Sequence, residues 1–435
     1  MVGGLEMRAL ADFDELHRWH DVEEIPFGSH GDPHRYDDEK RLLPLDRSIA
    51  VFDLEAVTTA AGDAPIVATA GAYPFELTVP GGAQVPAGGV TAVAVLATHR
   101  RRGILRRMME HQLDDLAARG EPVAVLNASE TPIYSRFGYG LSQRYQGIEM
   151  VAAKTSFNDA GNRLADTRSA ALRYVVQAEA APVVAPMFDA YAGLRAGEVS
   201  RSADWWITAL GPHECWKGGG KLFVVVCDPD PATGDPGGFV IFTIKYTEPF
   251  DRFRVAIREL IATTAATEAA LWRFVLSVDL VDVVEARAVP VDCPLRHWLV
   301  DSRQVRATRD QDYLWVRILD VPAALTARTY SVAGELVLDV MDPFRRKGCA
   351  SGRFRLTVAD AGAGNGAATV ERLGAVDGRA AVTLGVDQLG AIYLGGVRPD
   401  ALLRAGLISE HQPGAVAKLT AMFATDRPPM CNTPF

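Results

Sequence analysis

Residues 91–111 read TAVAVLATHRRRGILRRMMEH, and this stretch decides the fold. Its apolar run Thr91 to Ala97 reads as a strand, the arginine segment as a loop, and the residues from about Gly103 to Arg119 as a helix. A second apolar run, PVAVLNAS, begins at Pro122. Strand, basic loop, helix and strand in this order form a βαβ unit, which requires parallel pairing and a right-handed crossover. Amides at a helix start are unpaired and partly positive, so they can hold a pyrophosphate, with Arg100, Arg101 and Arg102 adding charge. Gly103 lets a ligand come close to the main chain. By spacing alone, a solvated basic helix start fits as well. Three arginines nevertheless oppose the helix dipole unless an anion answers them, which favours a bound phosphate. The loop lacks the GK[ST] of a Walker A sequence and the GxGxxG of a dinucleotide fold, so kinase and dehydrogenase readings lose their support. A pyrophosphate-bearing acyl donor remains.

The rest of the chain is consistent with a soluble enzyme. Its 435 residues suffice for about three domains, and 48% hydrophobic and 23% charged residues are ordinary for a globular protein. With 45 basic and 54 acidic side chains the formal charge is −9, which disfavours nucleic acid as a partner. Five scattered cysteines, Cys215, Cys227, Cys293, Cys349 and Cys431, contain no CxxC pair and read as reduced thiols. His17, His20, His30 and His34 could suggest a metal, but spacings of three, ten and four spread over a loop are a weak signal, so no metal is expected. Neither a signal core nor an uninterrupted apolar run of membrane-spanning length is present, so a cytoplasmic protein that uses no membrane is expected.

Working outward, the first domain is expected over 1–155, with a helix around Ala9 to Trp19, a polar loop to Leu45 and strands near Ser48 to Glu55 and Pro65 to Leu77. GGAQVPAGG reads as a turn-rich stretch, and TSFNDAGNRLADTR (Thr155 to Arg168) as a linker. Over 156–312 the order strand, strand, helix, strand recurs in GFVIFTIKY, RFRVAIRELIATT, AATEAALWRFVLSV and LVDVVEARAV. This duplicate carries ATTAATEAA where the first copy has THRRRG, so it is expected to lack the ligand. The charged stretch DSRQVRATRDQD (Asp301 to Asp312) separates it from a third domain over 313–435, a small mixed α/β layer.

The pattern V-x-V-x-x-x-x-R-R-R-G-x-L resembles the coenzyme A site of the GNAT acetyltransferase superfamily. Together, ATHRRRGILRRMM, LNASETPIYSRFGYG (Leu126 to Gly140) and the terminal CNTPF resemble the Eis family of GNAT N-acetyltransferases. That resemblance implies an α/β chain of tandem GNAT domains, the second degenerate, followed by a domain like sterol carrier protein. It implies acetyl-CoA as co-substrate and no metal. Val93, Ala94 and Val95 would contact the acetyl and pantetheine parts, and Arg101, Arg102, Gly103, Ile104, Leu105 and Arg106 the pyrophosphate. Ser129 and Glu130 would complete the pocket, with Tyr134 as general acid and the Phe435 carboxylate as general base. The implied acceptors are primary amines of a polyamine or aminoglycoside, modified at several positions, or protein lysines. The implied assembly is a homohexamer.

Chemistry limits these roles. A phenol with a pKa of about 10 is a credible donor to a thiolate of similar basicity, although a tyrosine beside a strand is more often a core aromatic. Tyr139 ranks second because its place after Phe137 and Gly138 suits packing. Chain ends usually fray, yet the three prolines of DRPPMCNTPF stiffen this one. A cationic acceptor calls for an acidic pocket, for which Asp21, Glu23, Glu24, Asp37, Asp38 and Glu39 are candidates beside Trp19 or Tyr36, against the plainer reading of solvated loops. Trp205 and Trp206 read as core or a subunit contact. The alternative function is an apolar-ligand-binding protein whose acetyltransferase domain is vestigial.

Overall fold

The computed structural model describes residues 4–28, 33–56, 64–211, 221–247, 252–345, 348–359, 366–374 and 379–435. Cys215 and His30 lie outside them, as does the side chain of His34.

The first sheet contains β1 (Leu5–Ala9), β2 (Ser48–Asp53), β3 (Ile66–Thr78), β4 (Gln84–Val95), β5 (Val123–Asn127) and β6 (Gly140–Leu141). β4 and β5 are parallel, in the register Ala87↔Val123 to Gly89↔Val125, and the helix Ile104–Ala118 makes the crossover. That helix buries Ile104, Met108, Met109, Leu113 and Leu116, the spacing of one apolar face. Beyond Gly89, β4 continues to Val95 on β3 alone, and its register slips between Thr69 and Gly71. Opposite the slip, Ala92 has φ +52, and its carbonyl accepts the Thr69 hydroxyl at 2.8 Å. The bulge turns the end of β4 away from β5 and opens the sheet.

Several elements differ from the sequence expectation. The stretch expected as turn-rich is largely β4 itself, because Ala87, Gly88 and Gly89 pair on both sides. The first helix runs Phe13–Glu24, since Asp12 caps it by accepting the Glu15 amide at 2.8 Å, and the residues before it form β1. A helix, Pro33–Leu42, lies within the expected polar loop. The expected linker contains the helix Asp159–Asp166, capped by Asn158, with Ala165 buried and Gly161 close against Trp298.

Sheet membership also crosses the expected boundaries near 155 and 312. β7 (Arg144–Val151) belongs to the second sheet, where it lies between Val281–Val289 and the exposed edge strand Arg306–Asp312. Leu314–Ile318 returns to the first sheet and pairs with both β5 and β6. Every residue of that strand is buried, so it requires partners on both edges and both faces.

The second sheet repeats the first. Gly238–Thr247 and Arg252–Ala262 are antiparallel, and the helix Ala265–Leu276 leads to Val281–Val289, parallel to Arg252–Ala262. At the start of that helix the Asp235 carboxylate accepts the hydroxyls of Thr264 at 2.9 Å and Thr267 at 2.6 Å, with Arg168 at 3.4 Å. This helix start therefore carries a side-chain cap, Thr264 accepting the Thr267 amide at 3.2 Å, with a carboxylate beside it, where the helix after the arginine loop has no side-chain cap.

The third sheet orders Ala368–Leu373, Gly352–Val358, Gly334–Met341, Val382–Gly385 and Ser409–Glu410. Its core is continuous with the first sheet: Leu338, Phe354 and Leu389 cluster with Leu77, Val125 and Val316. The helix Val386–Tyr393 lies so close that a Cβ on Gly140 would stand 1.8 Å from the Asp387 carbonyl oxygen. Gly140→Ala is therefore expected to cost about 1–3 kcal/mol, read as a lowered urea midpoint, by forcing these layers apart. An unchanged midpoint would show that the layers yield freely.

Candidate functional site

Where β4 parts from β5, a cleft of about 960 Å³ opens between the end of β4, the start of the helix Ile104–Ala118 and the segment 129–137. Val93, Ala94 and Val95 form one wall and Ser129, Glu130 and Tyr134 the other, with Arg101, Gly103, Ile104, Leu105 and Arg106 between them. Of the expected coenzyme residues, only Arg102 does not line the cleft, and it is exposed to solvent. Arg100, expected to add charge there, lines it as well, and Pro26, His99, Ile133, Arg136 and Phe137 join the lining without having been expected there.

The helix start leaves its backbone donors open. Gly103 caps it at φ +75 without a side-chain bond, and no acidic residue occupies the first turn. The first intrahelical bond runs from the Arg107 amide to the Gly103 carbonyl at 3.2 Å, so the amides of Ile104, Leu105 and Arg106 precede any helical partner. Arg101 has φ +63, a strained conformation for a non-glycine residue and one that bends the loop around the site. A Cβ on Gly103 would meet nothing within 4 Å, so the backbone is open to a bulky ligand. Backbone donors, arginine charge and an apolar wall from Val93 to Val95 fit the diphosphate and pantetheine of acetyl-CoA.

Tyr134, 6% exposed, ends the short helix Thr131–Tyr134. Burial pushes its phenol up to about 12, and the negative charge of Glu130 adds to the shift. Tyr139 lies edge-on to it at 6.0 Å but is fully buried and does not line the cleft. Tyr134 is thus the phenol of this pair that faces the cleft.

The last residues are fastened along their length. The Met430 amide donates to the Ala196 carbonyl at 2.9 Å, the Cys431 amide to Gln143 Oε1 at 2.8 Å, and the Asn432 amide to Glu198 Oε2 at 2.8 Å. At Phe435 the amide lies 3.4 Å from Asn127 Oδ1, at the end of β5, and the ring packs on Phe75 with centroids 5.0 Å apart. Sequence reading missed Asn127, Gln143 and Glu198, and no local pattern distinguishes these polar residues from surface ones.

The acidic acceptor candidates are placed differently from the expectation. Glu23, Glu24, Asp38 and Glu39 are buried, and only Asp21 and Asp37 are exposed. Trp19 is a core residue whose indole donates to the Ile49 carbonyl at 2.9 Å, and Tyr36 donates to the Phe13 carbonyl at 2.9 Å. These rings are engaged by the fold, Trp19 in an apolar cluster with Leu16, Leu43 and Phe52, and Tyr36 against the helix Phe13–Glu24, edge-on to His17. His20 lies 2.7 Å from Glu39, and His20, Glu23 and Glu39 bring possible ligand atoms within 4.8 Å, a grouping that histidine spacing alone does not reveal. Trp205 packs against Tyr73 and Phe75, and Trp206 against Phe188, so both are core residues. No helix among the described residues is long and apolar enough to cross a membrane.

The chain is similar to known proteins over most of its length. Residues 6–142 and 197–318 match models of the acetyltransferase (GNAT) domain, and residues 321–432 match the sterol carrier protein domain. An uncharacterized N-acetyltransferase of Streptomyces avermitilis is 39% identical over 88% of both chains. N-acetyltransferase Eis of Mycobacterium tuberculosis is 32% identical over 89% of both. Eis1 from Mycobacterium abscessus, a solved structure, superposes with a TM-score of 0.80 at 30% identity, covering 99% of this chain and 100% of that one. GNAT acetyltransferases draw their acetyl group from acetyl-CoA, and the chain is an N-acetyltransferase of the Eis family.

Proposed function

We propose that the protein acetylates primary amines of aminoglycoside-like polyamines, at more than one position, and lysine side chains. The observation that carries this reading is the presence of Tyr134 in the same cleft as the uncapped helix start. Acetyl-CoA supplies an activated acetyl group on a sulfur leaving group. The amides of Ile104, Leu105 and Arg106, with Arg101 and Gly103, hold its diphosphate, and Arg102 contributes long-range charge from outside the cleft. Main-chain groups of Val93, Ala94 and Val95 orient the pantetheine and acetyl parts, while Ser129 and Glu130 close the opposite wall. Tyr134 gives its proton to the departing sulfur. The Phe435 carboxylate, ordinarily a weak base with a pKa of about 3.5, orients the ammonium and relays its proton through water. The family resemblance extends the proposal to a cytoplasmic homohexamer.

Incubation with acetyl-CoA and kanamycin, or a lysine peptide, should release free thiol and add one or more acetyl masses to the acceptor. Absence of turnover across a broad amine panel would overturn the acceptor assignment. Extending the chain by one glycine beyond Phe435 should abolish turnover while acetyl-CoA still binds, as calorimetry would show. Full activity of that variant would remove the carboxylate from the mechanism.

A further inference from the structure

We infer that Glu198 is a positioning residue that clasps the terminal segment and thereby fixes where the Phe435 carboxylate stands. This rests on the reading that the carboxylate takes part in the transfer; Phe435 lies beside Asn127 at the end of β5 and is not among the residues that line the cleft. Glu198 is fully buried and holds three consecutive tail residues. Its Oε2 accepts the Asn432 amide at 2.8 Å and Asn432 Nδ2 at 3.1 Å; its Oε1 accepts the Thr433 hydroxyl at 2.8 Å and lies 3.6 Å from Cys431 Sγ. Burial pushes this carboxyl upward, opposed first by the charge of Arg201 and then by the donors from the tail.

The clasp is reinforced from the neighbouring elements. Arg201 Nε donates to the Thr433 hydroxyl oxygen at 2.9 Å, and its terminal nitrogens hold Glu259 at 2.7 and 3.1 Å. Phe188 backs the Arg201 guanidinium, 3.9 Å from its ring centroid, and Tyr313 donates to the Thr433 carbonyl at 3.2 Å. A buried carboxylate is costly unless its lone pairs are occupied, and here most of the donors come from the tail. With the chain fastened at Thr433, two residues remain to Phe435, a reach of about 7 Å, and Pro434 removes one of their torsions. Released from Glu198, the same carboxylate would sample a far larger volume, and a displacement of about 1 Å at a reacting group can cost about 10²-fold in rate.

The test compares Glu198→Gln with Asn432→Ala/Thr433→Ala, which breaks the clasp from the tail side and spares the buried acid. Three readouts are taken: hydrogen exchange of the peptide 425–435, the Kd for acetyl-CoA, and kcat with KM for kanamycin. Faster exchange of that peptide, an unchanged Kd and a turnover lowered by about 10- to 100-fold are expected of both variants. Unchanged exchange in a folded Glu198→Gln variant would overturn the clasp. Full turnover with a mobile tail, while the glycine-extended chain is inactive, would overturn positioning by Glu198 and leave the carboxylate reading intact. Full turnover in both experiments would overturn that reading itself. A uniform loss of melting temperature and coenzyme affinity, without faster tail exchange, would mark Glu198 as structural only and also overturn the proposal.

Discussion

Tyr134→Phe should lower kcat by about 10²- to 10⁴-fold while leaving the Kd for acetyl-CoA unchanged. The ring remains to fill its buried place, and only the transferable proton is removed. The pH dependence reports how firmly the phenol keeps its proton. Because burial raises the Tyr134 phenol to about 12, its proton stays in place as pH rises, and turnover should show no loss from this group near pH 10, where an ordinary phenol of about 10 would titrate. Stability follows the opposite course. Above the unfolded pKa of about 10 the unfolded chain releases this proton first, so folding free energy should decline from there until pH passes the folded value of about 12. Full kcat in Tyr134→Phe would count against the assignment, and an alkaline break near pH 10 that vanishes in that variant would show that burial does not raise the phenol.

Arg317→Ala should produce the largest loss of stability, about 3–5 kcal/mol, because it leaves Asp342 charged and unpaired in the interior. Both side chains of this ion pair are fully buried. The pair also supports the cleft. The Arg317 guanidinium lies beneath Gly138, where a Cβ would stand 2.9 Å from it, in the turn after Tyr134. Asp342 in turn accepts the amides of Phe344 at 3.1 Å and Arg345 at 3.0 Å. Phe344 packs on Phe137 at 5.0 Å and lies beneath the Arg106 guanidinium at 5.0 Å, and both of those residues line the cleft. Urea unfolding should therefore show the loss together with weaker coenzyme binding, and adding Asp342→Asn should restore part of the stability. A loss below about 1 kcal/mol would mean that water reaches the pair and screens it.

The βαβ unit was legible because its evidence is local: apolar runs of strand length, a helical stripe, and three arginines at the wrong end of a dipole. Tyr134 and Phe435 became candidates through family motifs rather than through spacing. The buried acids Glu23, Glu24, Asp38 and Glu39 were misread because polar residues are ordinarily solvated, and their burial depends on helices distant in sequence meeting through polar side chains, His20 with Glu39 and Thr208 with Asp38. The Glu198 clasp was invisible for another reason: its partner Asn432 lies 234 residues away, and neither segment carries a periodicity that points to the other. Strand exchange was equally hidden, since the apolar pattern of Leu314–Ile318 shows that it is buried but not in which sheet.

That exchange constrains the birth of the molecule. The first sheet has a gap between β5 and β6 until Leu314–Ile318 arrives, so that sheet cannot close while the ribosome is still making the middle of the chain. An isolated amino-terminal fragment would leave β5 with a raw edge, and chaperones meeting the nascent protein would see that edge until more than two thirds of the chain had emerged.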